Sequence, residues 1–225
     1  MKQVEVVIPT KSYMKGLTGL IHTLNTDPIV SRITVVADGP KAKELVQGLG
    51  LHGFELEEVP LGIGIHNMWN IGRDKVTNGN HFLMINDDVT INGGTAVGMA
   101  TTLDNHPELG LVCPNYDGRS MEADYFPVEM TCGGNYVGGG GLGGFCMMLS
   151  GDLVPEWRFD ERMKWWYGDD DIVTWVRRTK QRTVAICKNS TCTDNESWTL
   201  NNDPPINFHR DIENDRLIFI EKWSR

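Results

Sequence analysis

The sequence predicts an α/β fold, a single domain whose mixed, mostly parallel central sheet is flanked by helices. Three observations predict it. The first ninety residues alternate short β-branched runs with amphipathic segments, the pattern of parallel strands joined by crossover helices. The 225 residues are 40% hydrophobic and 23% charged, globular proportions that allow a sizeable core. No repeat and no Pro- or Ser-rich linker divides the chain, so one domain is expected over 1–225.

Each element follows from local pattern. Val4 to Pro9 is β-branched and ended by proline, a buried strand. Leu17, Leu20, Ile21 and Leu24 repeat at helical spacing and predict a helix over 14–25. A second strand runs from Arg32 to Asp38 and turns at Gly39-Pro40. A short helix over 41–49, a strand over 54–59, a helix over 65–76 after the Gly62/Gly64 turn, and a strand over 81–85 complete the first half. The second half is less regular. It predicts a helix over 95–104, a long Gly-rich loop over 111–144, a helix from Gly168 to about Lys180, a strand over 183–187 and a last helix over 207–222.

Composition narrows the function. Lys and Arg number 21 against 30 Asp and Glu, a net charge of 21 − 30 = −9. That balance disfavours a broad nucleic-acid surface and binding to acidic membranes. Nucleotides remain in play, because a metal ion can carry phosphate charge. Cys113, Cys132, Cys146, Cys187 and Cys192 are odd in number and form no C-x-x-C, so neither a zinc site nor a disulfide framework is expected. Met1 to Glu5 lacks the apolar run of a signal peptide, and no stretch of about 18 apolar residues could cross a bilayer. The sequons at Asn189 and Asn195 are therefore read as chance, and a reducing cytoplasm is the expected compartment.

Five features could carry chemistry. Asn86-Asp87-Asp88 follows an apolar strand directly, and such carboxylates suit magnesium or manganese together with substrate phosphates, or a simple polar turn. Asp38 ends another strand, on the edge of an α/β sheet where ligands bind. Gly62, Gly64 and Gly72 allow close backbone approach, to a ligand or to a packed helix, but do not form G-x-G-x-x-G. Gly168-Asp169-Asp170-Asp171 opens a helix. One or two acids there favour the dipole, whereas three repel one another, and a repelled carboxylate has the raised pKa of a general base. Trp165-Trp166-Tyr167 offers flat faces for a sugar ring, or for the core.

Taken in order, these segments resemble the inverting GT-A glycosyltransferases of the large family-two-like group, over almost the whole chain. The matching stretches are Val6 to Thr10, Val35 to Gly39, the G-x5-N-x-G of Gly64, Asn70 and Gly72, and the D-x-D-like Asn86-Asp87-Asp88. They continue with Gly143 to Met148, the F-D-E of Phe159-Asp160-Glu161, the E-D-x-D-like 168–171, and an ending with Asp215-Arg216 and Lys222-Trp223. The resemblance implies a GT-A (Rossmann-like) domain with a donor-binding half at about 1–92 and an acceptor-binding half at about 93–225. It implies transfer of a sugar from a nucleotide-diphosphate donor, UDP-sugar favoured, to an acceptor hydroxyl with inversion. Donor contacts would come from Pro9, Thr10, Asp38, Gly64, Asn70, Asn86 and Asp87. Acceptor contacts would come from the Gly138–Gly144 run, Gly143 and Gly144 above all, and from Trp166 and Tyr167. Asp88 would ligate manganese or magnesium, with His209 or Asp194 as a further ligand. Asp169 would be the catalytic base, with Asp170 as the alternative and Asp171 as a helix cap.

The chain departs from the family pattern at Asn86, in place of the first Asp of D-x-D, and at Gly168, in place of Glu. The acceptor stays open between a protein, a glycan or lipid precursor, and a modified DNA base of the phage type; the oligomeric state stays open too. Two other readings stand beside this one. A sugar-nucleotide pyrophosphorylase would need a Gly-rich phosphate loop with a basic residue, and Lys11 has no such loop after it. A degenerate sugar-nucleotide-binding domain would bind donor without turnover.

Overall fold

The computed structural model of the chain describes residues 1–129, 141–194, 201–204 and 207–224. The Gly133–Gly140 part of the glycine run lies outside the described residues, as does the Asn195 sequon. Strand β1 (Val4–Thr10) is buried along its full length at the centre of the sheet, which is why it is mostly apolar; its one charge, Glu5, is buried against Arg32, the Thr77 amide and Asn80. Helix α1 (Met14–Asn25) buries its Leu17, Leu20, Ile21 and Leu24 stripe. Next come β2 (Val30–Asp38), α2 (Pro40–Gly48) with proline in its first turn, and β3 (Glu55–Val59). Strand β3 is the sheet edge, and its Glu55, Glu57 and Glu58 discourage further pairing there. Helix α3 (Ile65–Arg73) and β4 (His81–Ile85) complete the parallel set β3-β2-β1-β4.

The second half adds β5 (Val89–Ile91), α4 (Thr95–Asn105), β6 (Leu109–Asn115), β7 (Tyr125–Val128), β8 (Cys146–Leu149), α5 (Gly168–Thr174), β9 (Thr183–Asp194) and α6 (Phe208–Trp223). Helix α5 runs on into a π-turn over Trp175–Thr179. The sheet order is β3-β2-β1-β4-β8-β6-β9-β5, with β7 paired to β9. Among the described strands of the central path from β3 to β9, β8 alone runs against the others. The sheet is therefore mixed and mostly parallel, as expected. One face packs on α1 and α4 through Leu17, Leu20 and Met99; the other packs on α3 and α5 through Met68, Trp69 and Ile172.

Two expectations are corrected. The loop expected over 111–144 contains β6 and β7. Pro114 sits at the end of β6, where the register against β9 already shifts, so little pairing is lost. The strand expected to stop at Cys187 continues to Asp194. Its polar continuation is held from α4 and the turn before it: Ser190 Oγ donates to the Thr95 carbonyl (3.1 Å), Thr95 Oγ1 to the Thr191 carbonyl (2.9 Å), and Asn92 Nδ2 to Thr191 Oγ1 (2.7 Å).

Candidate active site

The carboxyl ends of β1, β2 and β4 lie side by side; β1 and β2 end in Thr10 and Asp38, and β4 is followed by Asn86. Asp38, at the end of β2, is 4% exposed and accepts the Gly62 amide at 2.6 Å. Burial raises its carboxyl above the ordinary aspartate range. Its neighbouring charges are Lys11 and Asp203. Lys11 Nζ donates to the Asp203 carbonyl at 2.8 Å and pairs with the Asp203 carboxylate at 3.1 Å, which ties residues 201–204 to the end of β1. Pro9 and Thr10 form that end and are buried. Thr10 Oγ1 donates to Asp87 Oδ2 at 2.6 Å. Burial, and then the Asp88 charge, push the Asp87 carboxyl up to about 7. Asp87 thus joins β1 to β4, and Asp88 beside it is 5% exposed. The Asn86 backbone N–H donates to the Phe145 carbonyl at 2.9 Å, while its buried side-chain Oδ1 has no hydrogen-bond partner.

The G-x5-N-x-G residues have a structural place. Gly64 has φ +96°, and a β-carbon there would lie 2.7 Å from the Lys164 backbone. Asn70 is 1% exposed, and its amide copies a backbone pair: Nδ2 donates to the Phe159 carbonyl and Oδ1 accepts the Phe159 amide, both at 3.0 Å. A β-carbon at Gly72 would collide with Val7. Gly64 and Asn70 therefore pack the segment around 159–164 against α3, Gly64 by close approach and Asn70 through its side-chain amide. Asn70→Ala would leave the Phe159 amide and carbonyl buried and unpaired, so it is expected to destabilise the protein by about 2–4 kcal/mol, read as a lowered denaturation midpoint at unchanged m-value.

The docked segment leads to the three acids. Tyr167 adopts φ 65°, the left-handed region that a non-glycine residue enters only when its surroundings impose it. A side chain at Gly168 would collide with His66 Nε2, which explains why the chain carries glycine where the family pattern has glutamate. His66 is 1% exposed and stacks on Phe159, and burial holds its imidazole down at about 4, so it is neutral. Asp169 follows, partly accessible, with its Oδ1 accepting the Asp170 amide at 3.0 Å. Burial, and then the Asp170 charge, raise its carboxyl to about 7. The Asp169 carboxylate lies directly against Gly144, where any β-carbon would collide with it. Gly144 adjoins Phe145, whose carbonyl holds Asn86. The segment 143–145 thus bridges the end of β4 and Asp169.

Asp171 is not a cap. It is fully buried and accepts Lys222 Nζ (2.8 Å) and Trp223 Nε1 (2.7 Å) from α6, and α5 has no side-chain cap. Gly143 is buried beneath the Phe145 ring. Trp166 is 41% exposed, and Tyr167 stacks on Phe219. His209 is exposed at the start of α6, beside Phe208. Among the described residues, no three His, Cys, Asp or Glu side chains come together as a metal-binding group, so His209 and Asp88 are not joined in one. Sequence reading missed Asp203 and gave Asp215 no role. The signal for each is a polar partner far away in the chain, which no local pattern contains.

No family model matches the sequence, and no curated protein matches it. Solved structures do. Residues 1–349 of TarS from S. aureus superpose with a TM-score of 0.59 at 15% identity, covering 99% of this chain and 73% of that one. A longer TarS structure gives 0.61 at 15% identity, and this chain spans 44% of it. GalNAc-T7, solved with UDP, GalNAc and Mn2+, gives 0.66 at 10% identity, covering 95% of this chain and 48% of that one. TarS and GalNAc-T7 are glycosyltransferases, and TarS 1–349 has also been solved with UDP. The chain has their fold, the GT-A fold.

Proposed function

We propose that this protein is a glycosyltransferase that moves a sugar from a nucleoside-diphosphate sugar to an acceptor hydroxyl, with inversion. The observation that carries the reading is the bridge between the end of β4 and Asp169, because it brings the strand end proposed to hold the donor near a carboxylate raised to about 7. A base with that pKa is matched to proton transfer near neutral pH. The fold supports the reading, as do the UDP complexes of TarS and GalNAc-T7, which favour a UDP-sugar.

In this reading residues 1–92 hold the donor and 93–225 the acceptor. Asp38 contacts the base or ribose, and the ends of β1 and β4 flank the ribose and diphosphate. The acceptor lies over Gly143 and Gly144 within reach of Trp166 and Tyr167. Its hydroxyl proton passes to Asp169 Oδ2, its oxygen bonds to the anomeric carbon, and the anomeric carbon–oxygen bond to the diphosphate breaks with its electron pair going to the phosphate. One displacement inverts the centre. Asp170 is the alternative base. The residues after β4 have the chemistry a hard divalent cation takes: the Asp88 carboxylate and the unpartnered Asn86 Oδ1 would offer it oxygen. Manganese or magnesium held there would supply charge neutralisation for the leaving diphosphate. The acceptor class is a protein, a glycan or a modified nucleic acid. A reducing compartment, the cytoplasm, belongs to the same reading and is supported by the four described cysteines being buried free thiols; no described helix is long and apolar enough to cross a membrane.

Asp38 gives the experiment that tests donor binding. Asp38→Ala removes mostly uniform binding, so donor KM is expected to rise about tenfold while kcat changes little. An unchanged KM in a folded variant would remove Asp38 from the donor site.

A further inference from the structure

Helix α6 is built around a carboxylate. Asp215 is its only fully buried residue, whereas Leu217 and Ile220 on the same helix are 54% and 41% exposed. A helix docked for apolar burial would reverse that choice. Burying an aspartate is unfavourable unless hydrogen bonds replace its water. Here three consecutive backbone amides do so. Lys164 N donates to Asp215 Oδ1 at 2.9 Å, and Trp165 N and Trp166 N donate to Oδ2 at 2.8 and 3.0 Å. Charge-assisted bonds of this kind are the strong ones.

The residues of 157–167 belong to no helix or strand, so these amides have no ladder of their own. The rest of the same face of α6 continues the grip at helical spacing. Lys164 Nζ lies 3.8 Å from the Asp211 carboxylate. Phe219 stacks on Tyr167 with ring centroids 5.4 Å apart. Lys222 and Trp223 hold Asp171. Successive turns of α6 thus fix 164–166, then 167, then 171, and bracket Asp169 from both sides. The left-handed Tyr167 lies within the bracket, where α6 holds it.

We propose that Asp215 is a positioning residue for the base: by gathering the amides of 164–166 it sets the backbone that aims the Asp169 carboxylate across Gly144. The proposal rests on the glycosyltransferase reading for its kinetic arm only.

The test is Asp215→Asn, which keeps the shape but turns an amide donor toward backbone donors. Misplacing a reacting group by about an ångström can lower the rate on the order of 10²-fold. That fall in kcat is expected with donor KM within about twofold of wild type, and with faster hydrogen exchange at the amides of 164–166 but not in β1. A kcat within about twofold of wild type would overturn the proposal, as would a KM that rises in step with the lost rate. Wild-type exchange covers a variant that does not fold. Amides of 164–166 protected as well as those of β1 support the anchor, and amides exchanging like an exposed loop overturn it. If the wild type turns over no nucleotide sugar, the functional reading fails, and the exchange arm alone decides the anchor.

Discussion

Asp169→Asn is expected to lower kcat by roughly 10²–10⁴, the usual share of general-base catalysis, with the fold and donor binding intact. Asparagine keeps the shape against Gly144 and loses the basicity. The pH profile gives a second readout. A base whose carboxyl is raised to about 7 is protonated below that pH, so kcat/KM should climb as pH rises through about 7 and then level off. In the variant that limb should vanish. Stability runs the other way. Between about pH 4 and 7 the folded chain keeps a proton on Asp169 that the unfolded chain has already released, so this group's contribution to stability is lost as pH rises through that window. Normal turnover by Asp169→Asn together with a dead Asp170→Asn would move the base by one residue. Activity in both variants would point to a retaining mechanism.

Asp88→Ala is expected to lower transfer by about 10³-fold or more, and a chelator is expected to inhibit the wild type until manganese is restored. Loss of charge neutralisation at the leaving diphosphate is worth several kcal/mol of barrier. A circular-dichroism spectrum and melting curve of the variant separate this loss from misfolding, which matters because Asp88 is 5% exposed. Transfer that is indifferent both to chelator and to this substitution would remove the metal from the mechanism.

The first ninety residues were legible chiefly because β1, β4 and most of β2 are buried on both faces. Such strands are written as apolar runs, as in Val6 to Ile8 and Phe82 to Ile85, cut off by Pro9 and Asn86. The second half hides its strands. Pro114 interrupts the pattern of β6, and β9 carries Lys188, Asn189 and Ser190 in mid-strand because α4 satisfies part of it by hydrogen bonds. At the site, three adjacent acids marked the start of α5, but their division of labour was not in the spacing. Asp171 is bound by residues 51 and 52 positions away, and Asp169 is defined by Gly144 across the fold. Asn70 shows the same limit from the other side. A polar residue in a ligand-like motif is spent on the backbone of Phe159, a contact between segments 89 residues apart.

The most direct test of the account is NMR-monitored incubation of the purified protein with manganese and a panel of nucleoside-diphosphate sugars, run with wild type and Asp169→Asn side by side. The account predicts that wild type releases nucleoside diphosphate from at least one donor, most readily a UDP-sugar, that the released or transferred sugar carries the opposite anomeric configuration, and that Asp169→Asn is slowed by roughly 10²–10⁴. Binding of the same donors without any release of diphosphate would contradict it, and would make the protein a sugar-nucleotide-binding domain.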